Sequence, residues 1–344
     1  MRGWDQEVRD LDRIAIVGLG PIGASLALAL RKSGLNDTKI VGTDGSRDRL
    51  SAASKAEVVD DTTRNVRSAV EGARLVIITS PLTEFREILR AIGPNLDNEA
   101  VVTETGSSKV QALKSAEELL PERIGFVAGR PLLKRAPDDA AGPDASIFHG
   151  IDYCLVPGSS APPSSVSVVT SMVEAIGARP LFLDPHEHDS YAAAMSHLPM
   201  VLSSAFVTAT SDSDGWREMH KVASTEFANL SNLSSDDPVD TETAIRANPE
   251  ALVHWIDQMI AELHAYRDEI TSDGTELLDR LIRAWENQAR WEAGTVVPDD
   301  GPSLASTSVT LASTLLGERL ANRYRDITSS DEKKSEPWKY KRKR

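Results

Sequence analysis

The chain has 344 residues, 40% of them apolar, a single cysteine and a formal net charge of −14. That is enough chain for two domains of ordinary size. The negative balance excludes binding of nucleic acid over a broad surface, and Cys154 alone excludes an internal disulfide framework or a CxxC metal site.

No unbroken run of 18 apolar residues occurs, so no membrane-spanning helix is expected. The N-terminus, MRGWDQEVRDLDR, lacks the apolar stretch of a secretory signal. These features read as a soluble, cytoplasmic protein.

After an extension over 1–12, strands and helices alternate. Arg13–Val17 is a short apolar run ending in glycines, and Ser25–Lys32 has helical periodicity. Lys39–Gly42 reads as a second strand and Arg47–Ala56 as helix. Leu75–Thr79 is a buried strand, followed by Pro81 and a helix over Phe85–Ile92. Ala100–Thr103 is a strand, Lys109–Leu119 a helix, and Ile124–Ala128 and Tyr153–Val156 are further strands. This alternation predicts an α/β fold, a doubly wound parallel sheet with helices on both faces, over 13–184.

The pattern changes after LFLD, near Asp184. No strand-like run follows as far as Tyr266, and Tyr191–Thr210, Ala244–Ile270 and Glu276–Trp291 are helical in period. A second, all-α domain is expected over 185–325, with a loop at 292–308 and a last helix over Val309–Tyr324. The tail, 326–344, is basic: from Ser329 it has seven Lys and Arg against three Asp and Glu. It is expected to be disordered, either solubilising the chain or meeting an acidic partner or a second subunit.

GLGPIG supplies Gly18, Leu19, Gly20, Pro21, Ile22 and Gly23, which fit G-x-G-x-x-G between a strand and a helix. Gly18 permits the tight turn, Gly20 lets the backbone approach a pyrophosphate, and Gly23 allows close helix–strand packing. Pro21 has no N–H, which the first helical turn tolerates. Asp44 ends the second strand where a carboxylate would accept the ribose hydroxyls and repel a 2′-phosphate, favouring NAD. Arg47 and Arg49 soften that preference and leave NADP open. Ser80 and Pro81 in ITSPLTEF, and Gly106 and Ser107 in TETGSSK, lie at the ends of later strands, where open α/β sheets bind ligands. Ser107 and Ser108 are also candidate caps for the helix at Lys109. The motif makes the first domain Rossmann-type.

At this point the sequence resembles the prephenate/arogenate dehydrogenases of tyrosine biosynthesis. The likeness runs from about Arg13 to Trp291 through RIAIVGLGPIGASLALAL, TETGSSK, AGRPLLKRAPDDAAGPDASIFHG and LDPHEHDSYAAAMSHLPMVLSSA. It implies a Rossmann domain followed by an all-helical dimerisation domain in a homodimer. It also implies oxidative decarboxylation of a cyclohexadienyl acid: hydride leaves the carbon bearing the ring hydroxyl for the nicotinamide, and loss of the ring carboxylate aromatises the product. By position, Ser107 matches the family serine at that hydroxyl, and His197 the second histidine, near substrate and nicotinamide.

Two positions depart from the family. Its catalytic histidine falls on Arg130, and its carboxylate-binding arginine on Asn232, at the end of EFANLSN. A guanidinium stays protonated and cannot act as a general base, whereas it suits a carboxylate. Arg130 with Lys134 or Arg135 is therefore a candidate substrate clamp. The alternative is that Arg130 pairs with Glu104, Asp138 or Asp139 and that the other two face water. His197 is the candidate base, and His149 is read as structural. His186, His188 and Asp189 are accounted for by helix capping and interdomain hydrogen bonds. Asp236-Asp237-Pro238 fits no metal-ligand spacing and reads as a turn starting a helix. Trp216, Trp255 and Trp291 are expected in the core or at a dimer interface.

Three functions follow. The first is an active NAD(P)-dependent dehydrogenase of this type. The second is a dinucleotide-binding protein of the same fold without turnover, regulatory or structural. The third, a β-hydroxyacid dehydrogenase, would need a lysine in the helical domain, and Lys221 is the only one between Asp184 and Ile270.

Overall fold

The computed structural model describes residues 11–35, 37–135, 141–235, 237–272, 274 and 276–293. The expected helix at 309–324, the basic tail and nearly all of the loop at 292–308 lie outside these residues, as do Asp138 and Asp139. The described residues up to Asp257 form one compact unit, and those from Gln258 form a second.

Eight strands make a single sheet in the order β3-β2-β1-β4-β5-β6-β7-β8. They are β1 (Arg13–Val17), β2 (Lys39–Thr43), β3 (Asp61–Thr63), β4 (Leu75–Ile78), β5 (Val101–Glu104), β6 (Gly125–Pro131), β7 (Asp152–Pro157) and β8 (Arg179–Phe182). All neighbours run parallel except β6 and β7, which are antiparallel with Arg130 opposite Cys154. The sheet is parallel-dominated, in line with the expected doubly wound fold, with the direction reversed between β6 and β7.

β1 and β4 are near-continuous apolar runs because both faces are covered. Alternate residues enter two separate cores. Ile14, Ile16 and Ile77 pack with Leu26 and Leu30 on one face, and Ala15, Val76 and Ile78 pack with Phe85 and Leu89 on the other. β3 is DTT and offers no apolar signal, so it was invisible in the sequence; it is defined by its pairing with β2.

The helices of this layer are α1 (Pro21–Lys32), α2 (Arg47–Lys55), α3 (Val66–Val70), α4 (Leu82–Ile92), α5 (Lys109–Leu119) and α6 (Pro163–Ala175). α6 is absent from the sequence reading. Its PSSVSVVTSMVEA is rich in serine and valine, which are weak helix formers. Burial of Val169, Met172 and Val173 at helical spacing overrides that weakness.

From Pro185 onward every described element is helical: α7 (Pro185–Ala192), a π-helical turn (Ala193–His197), α8 (Leu198–Ser211), α9 (Trp216–Met219), α10 (Thr225–Ser231), α11 (Pro238–Arg246), α12 (Pro249–Ile270) and α13 (Glu276–Glu292), with short 3-10 turns between some of them. Asp184 caps α7, accepting from His186 N at 2.8 Å, and Asp237 caps α11, accepting from Val239 N at 2.8 Å. The continuous helix Pro185–Ser211 is long and apolar enough to cross a membrane by length and composition alone, although it contains no unbroken apolar run of 18 residues. Its buried positions include His188, Asp189 and His197. In the second unit Arg280 links α12 to α13 through Glu262 and Glu269, both at 2.6 Å. Trp291 is 72% exposed.

The glycine-rich turn is the tightest backbone approach that positions the site. Gly18 has φ +98°, and a Cβ on Gly23 would lie 2.1 Å from the Gly18 carbonyl oxygen. Overpacking of this kind costs roughly 1–3 kcal/mol. Gly23→Ala is expected to destabilise the protein by about that amount, measured by urea unfolding. The same variant is expected to lose dinucleotide binding by calorimetry, because the loop must shift to admit the methyl group.

Candidate functional site

The site lies at the carboxyl ends of the strands. A cavity of about 870 Å³ is lined there by Gly18, Gly20, Pro21, Ile22, Asp44, Ser80, Pro81, Gly106 and Ser107 among others. Of the ten cofactor residues read from sequence, only Leu19 and Gly23 are not in its lining. A Cβ on Gly20 would meet nothing within 4 Å, so this face of the loop is open to a ligand. Gly20 is the N-cap of α1 and has no side chain to cap it, which leaves N–H groups of the first turn available to an anion. Asp44 accepts from Leu19 N at 2.8 Å and from Ser46 N at 2.7 Å. It therefore ties the glycine-rich turn to the end of β2. This cradle fits the pyrophosphate and ribose of a dinucleotide.

Next to it is a buried polar cluster on the β5 and β6 ends. Lys109, wholly buried, donates from Nζ to Glu104 and, at 2.6 Å, to the Gly129 carbonyl. Glu104 also accepts from Gly106 N. Burial pushes the Lys109 ammonium down from its ordinary range, and Glu104 opposes that. Cys154, buried on β7, has its thiol pushed up to about 11, chiefly by burial.

Three contacts join the helix Pro185–Ser211 to these strand ends. Asp189 accepts from Lys109 N at 2.7 Å, Val110 N at 3.0 Å and Ser108 Oγ at 3.1 Å. It is also 2.8 Å from His188 Nδ1. The cap of α5 is therefore Asp189 from another element. Ser108, a candidate cap in the sequence, makes no side-chain capping bond, and Ser107, the other candidate cap, has its hydroxyl beside His197 instead. Burial pushes the Asp189 carboxyl up, but the bonds from His188, Lys109 and Val110 hold it below its usual range.

The other two contacts come from the π-turn. Arg130 donates to Ser196 Oγ at 2.8 Å, and His197 Nε2 lies 3.2 Å from Ser107 Oγ. Pro199 explains the turn: it lacks an N–H and would strike the carbonyl four residues back, so the helix widens just before it. The widening presents both Ser196 and His197 to the strands. His197 is buried, and burial, with Arg130 nearby, lowers its pKa to about 4. Its Nδ1 is buried without a hydrogen-bond partner. It is a neutral imidazole at pH 7.

Among the described residues Arg130 makes no ion pair. Glu104, one of its expected partners, is taken by Lys109. Burial pulls the guanidinium below its ordinary range, though it stays charged. Lys134 is exposed. Arg135 is exposed and pairs with Asp144, with Ser146 Oγ at 3.3 Å. The structure thus brings Ser107, His197 and Arg130 together, whereas Lys134 is exposed and Arg135 is engaged by Asp144. Asn232 opens a 3-10 turn that packs on α8. Exposed His149 packs against Gly177.

A family model of the prephenate dehydrogenase nucleotide-binding domain matches residues 26–181, and one of the prephenate dehydrogenase dimerization domain matches 184–284. The chain belongs to the prephenate dehydrogenase family. Among curated relatives, prephenate dehydrogenase of Bacillus subtilis is 27% identical over 274 residues, 79% of this chain and 74% of that one. Cyclohexadienyl dehydrogenase of Zymomonas mobilis is 28% identical over 274 residues, 78% of this chain and 92% of that one. The crystal structure of A. aeolicus prephenate dehydrogenase with hydroxyphenyl propionate and NAD+ matches with a TM-score of 0.73 at 24% identity. It covers 81% of this chain and 98% of that one, a likeness of fold. Family membership makes the chain an oxidoreductase with an NAD(P)-type nucleotide-binding domain.

Glu104, Lys109 and Ser196 were not singled out as site residues in the sequence. They lie inside TETGSSK and LDPHEHDSYAAAMSHLPMVLSSA, but nothing local says that a lysine is buried or that a serine meets an arginine 66 residues away. Asp189 was read as a capping and hydrogen-bonding residue, and that is its place here.

The low pKa of His197 has a consequence for stability. In the unfolded chain it takes a proton near pH 6.5; folded, only near 4. The unfolded state binds more protons in that window, so stability present above pH 6.5 is lost as pH falls towards 4. The loss is expected to be on the order of 3 kcal/mol. His197→Gln is expected to remove that part of the dependence, read as a shallower fall in unfolding free energy between pH 7 and 4.

Proposed function

We propose that the chain catalyses NAD(P)-dependent oxidative decarboxylation of prephenate, arogenate or a related cyclohexadienyl acid. The observation that carries this is the Ser107–His197 pair, 3.2 Å apart, with Ser107 lining the dinucleotide cavity. The dinucleotide, when bound, supplies the hydride acceptor. NAD is the cofactor favoured by Asp44, which offers its carboxylate at the end of β2.

Ser107 stands between the substrate hydroxyl and His197. Its oxygen accepts the hydroxyl proton while its own proton passes to His197 Nε2. An imidazole with a pKa of about 4 is a weak base. It is sufficient here because departure of hydride turns the hydroxyl carbon into a protonated carbonyl, a strong acid. The ring carboxylate then leaves as CO2, its bonding electrons complete the aromatic ring, and the resulting phenolate oxygen takes the proton back from His197 through Ser107. Arg130, half-buried and without an ion pair among the described residues, anchors a substrate carboxylate. Lys134 and Arg135 are not needed for this, since Arg135 is already engaged by Asp144.

A second reading rests on Arg130 itself. It stands at the family's histidine, so the chain could bind the dinucleotide without turning over. A homodimer formed through the helical part is proposed from the dimerization-domain match and from exposed Tyr191, Met195 and Val222, at 54, 76 and 80%. A cytoplasmic location goes with this reading.

Formation of reduced cofactor from prephenate or arogenate is the direct assay. Ser107→Ala and His197→Gln are expected to lower kcat by about 10²- to 10⁴-fold. The acid limb of kcat/KM is expected near pH 4, not 6.5, because His197 must be neutral. Arg130→His is expected to raise KM for the substrate. A rise in kcat instead would show that Arg130 is a lesion at the base position, and no turnover by the unaltered protein on either acid would favour the second reading.

A further inference from the structure

The dinucleotide cavity is not made by the strand ends alone. One of its walls is α11, which contributes Asp237 at its cap and then Asp240, Thr241 and Ala244. That spacing is one face of a helix. The neighbouring face, Pro238, Thr241, Glu242 and Ile245, lines a second cavity of about 710 Å³, shared with Val207 of α8 and Leu252 of α12. α11 is thus a partition with a cavity on each side.

Little holds this partition in place. None of its nine residues is buried, and a helix so short is not stable by itself. Its first N–H groups are capped by its own Asp237. It packs on α4, where Thr83 Oγ donates to Asp240 Oδ1 at 2.7 Å, across 157 residues of chain. Among the described residues this is the one side-chain hydrogen bond that ties α11 to another element. Segments with few buried contacts are the first to open. The second cavity gives α11 room to shift without displacing packed side chains, which a filled core would forbid. Asp237, Asp240 and Glu84 put carboxylates along the dinucleotide cavity. Attraction to a diphosphate therefore does not hold α11 closed; the bond from Thr83 does.

We infer that α11 is a movable wall of the dinucleotide site, latched by Thr83 to Asp240, and that it swings into the second cavity when the dinucleotide enters or leaves. This rests on the dinucleotide reading above and adds to it a control on exchange. Thr83 and Asp240 are then positioning residues. Thr83 does not line the dinucleotide cavity, so it acts on the ligand only through α11.

The test is stopped-flow binding and displacement of NADH, with NADPH in parallel, on the full chain without substrate, followed by nucleotide fluorescence. Thr83→Val removes the latch and keeps the side-chain shape. It is expected to raise the association and dissociation rate constants together, about three- to tenfold, and to leave Kd within about twofold. A residue that only propped the fold would lower the melting temperature and leave the rates alone. Val207→Trp, which fills part of the second cavity, is expected to slow both rate constants by about threefold or more. Circular dichroism melting checks that the variants fold. Thr83 is exposed, and Thr83→Val alone decides if Val207→Trp does not fold. Rates unchanged by Thr83→Val, or a change in dissociation rate matched by an equal change in Kd, would overturn the latch and leave the dinucleotide reading intact. Unaltered rates in a folded Val207→Trp would overturn the swing into the second cavity. Binding of neither nucleotide would sink both readings.

Discussion

The site is organised by a buried ion pair, Lys109 with Glu104. Removing either charge from water is expensive, several kcal/mol per ion after relaxation. The pair persists because its remaining hydrogen-bonding capacity is used. Glu104 also holds Gly106 N–H, and Lys109 also holds the Gly129 carbonyl. Ser107 and Arg130 are the next residues along from those two backbone groups. One internal contact therefore bears on the positions of both candidate side chains, at the ends of the neighbouring strands β5 and β6.

The helix Pro185–Ser211 completes the arrangement from the other side. Its Asp189 satisfies the free N–H groups of α5, whose own leading serine does not. Its π-turn then delivers Ser196 to Arg130 and His197 to Ser107. All three contacts arise within nine residues of helix, Asp189 to His197. The apolar character that makes this helix long enough to cross a bilayer coexists with a buried polar face that fixes it to the sheet.

Much of this was legible in the chain. The doubly wound sheet followed from apolar runs alternating with periodic segments, and the glycine-rich turn with Asp44 followed from spacing alone. What was not legible shares a cause: it is decided by tertiary contact. β3 has no apolar residue to announce it. α6 is written in poor helix formers. The reversed direction of β7 leaves no trace in composition. Ser108 has every local mark of a cap, yet a carboxylate 81 residues away does the capping. The pairing of Glu104 with Lys109, rather than with Arg130, depends on which cation reaches the interior.

Cys154 has a practical bearing on how this protein can be studied. It is the only cysteine in the chain, and it is buried on β7, between β6 and β8, with its thiol held protonated well above neutral pH. Maleimide and iodoacetamide react with the thiolate, so the folded protein presents essentially no background thiol. Single cysteines introduced on α8 or α11 would take a fluorophore or spin label cleanly, with no need to remove a native residue first.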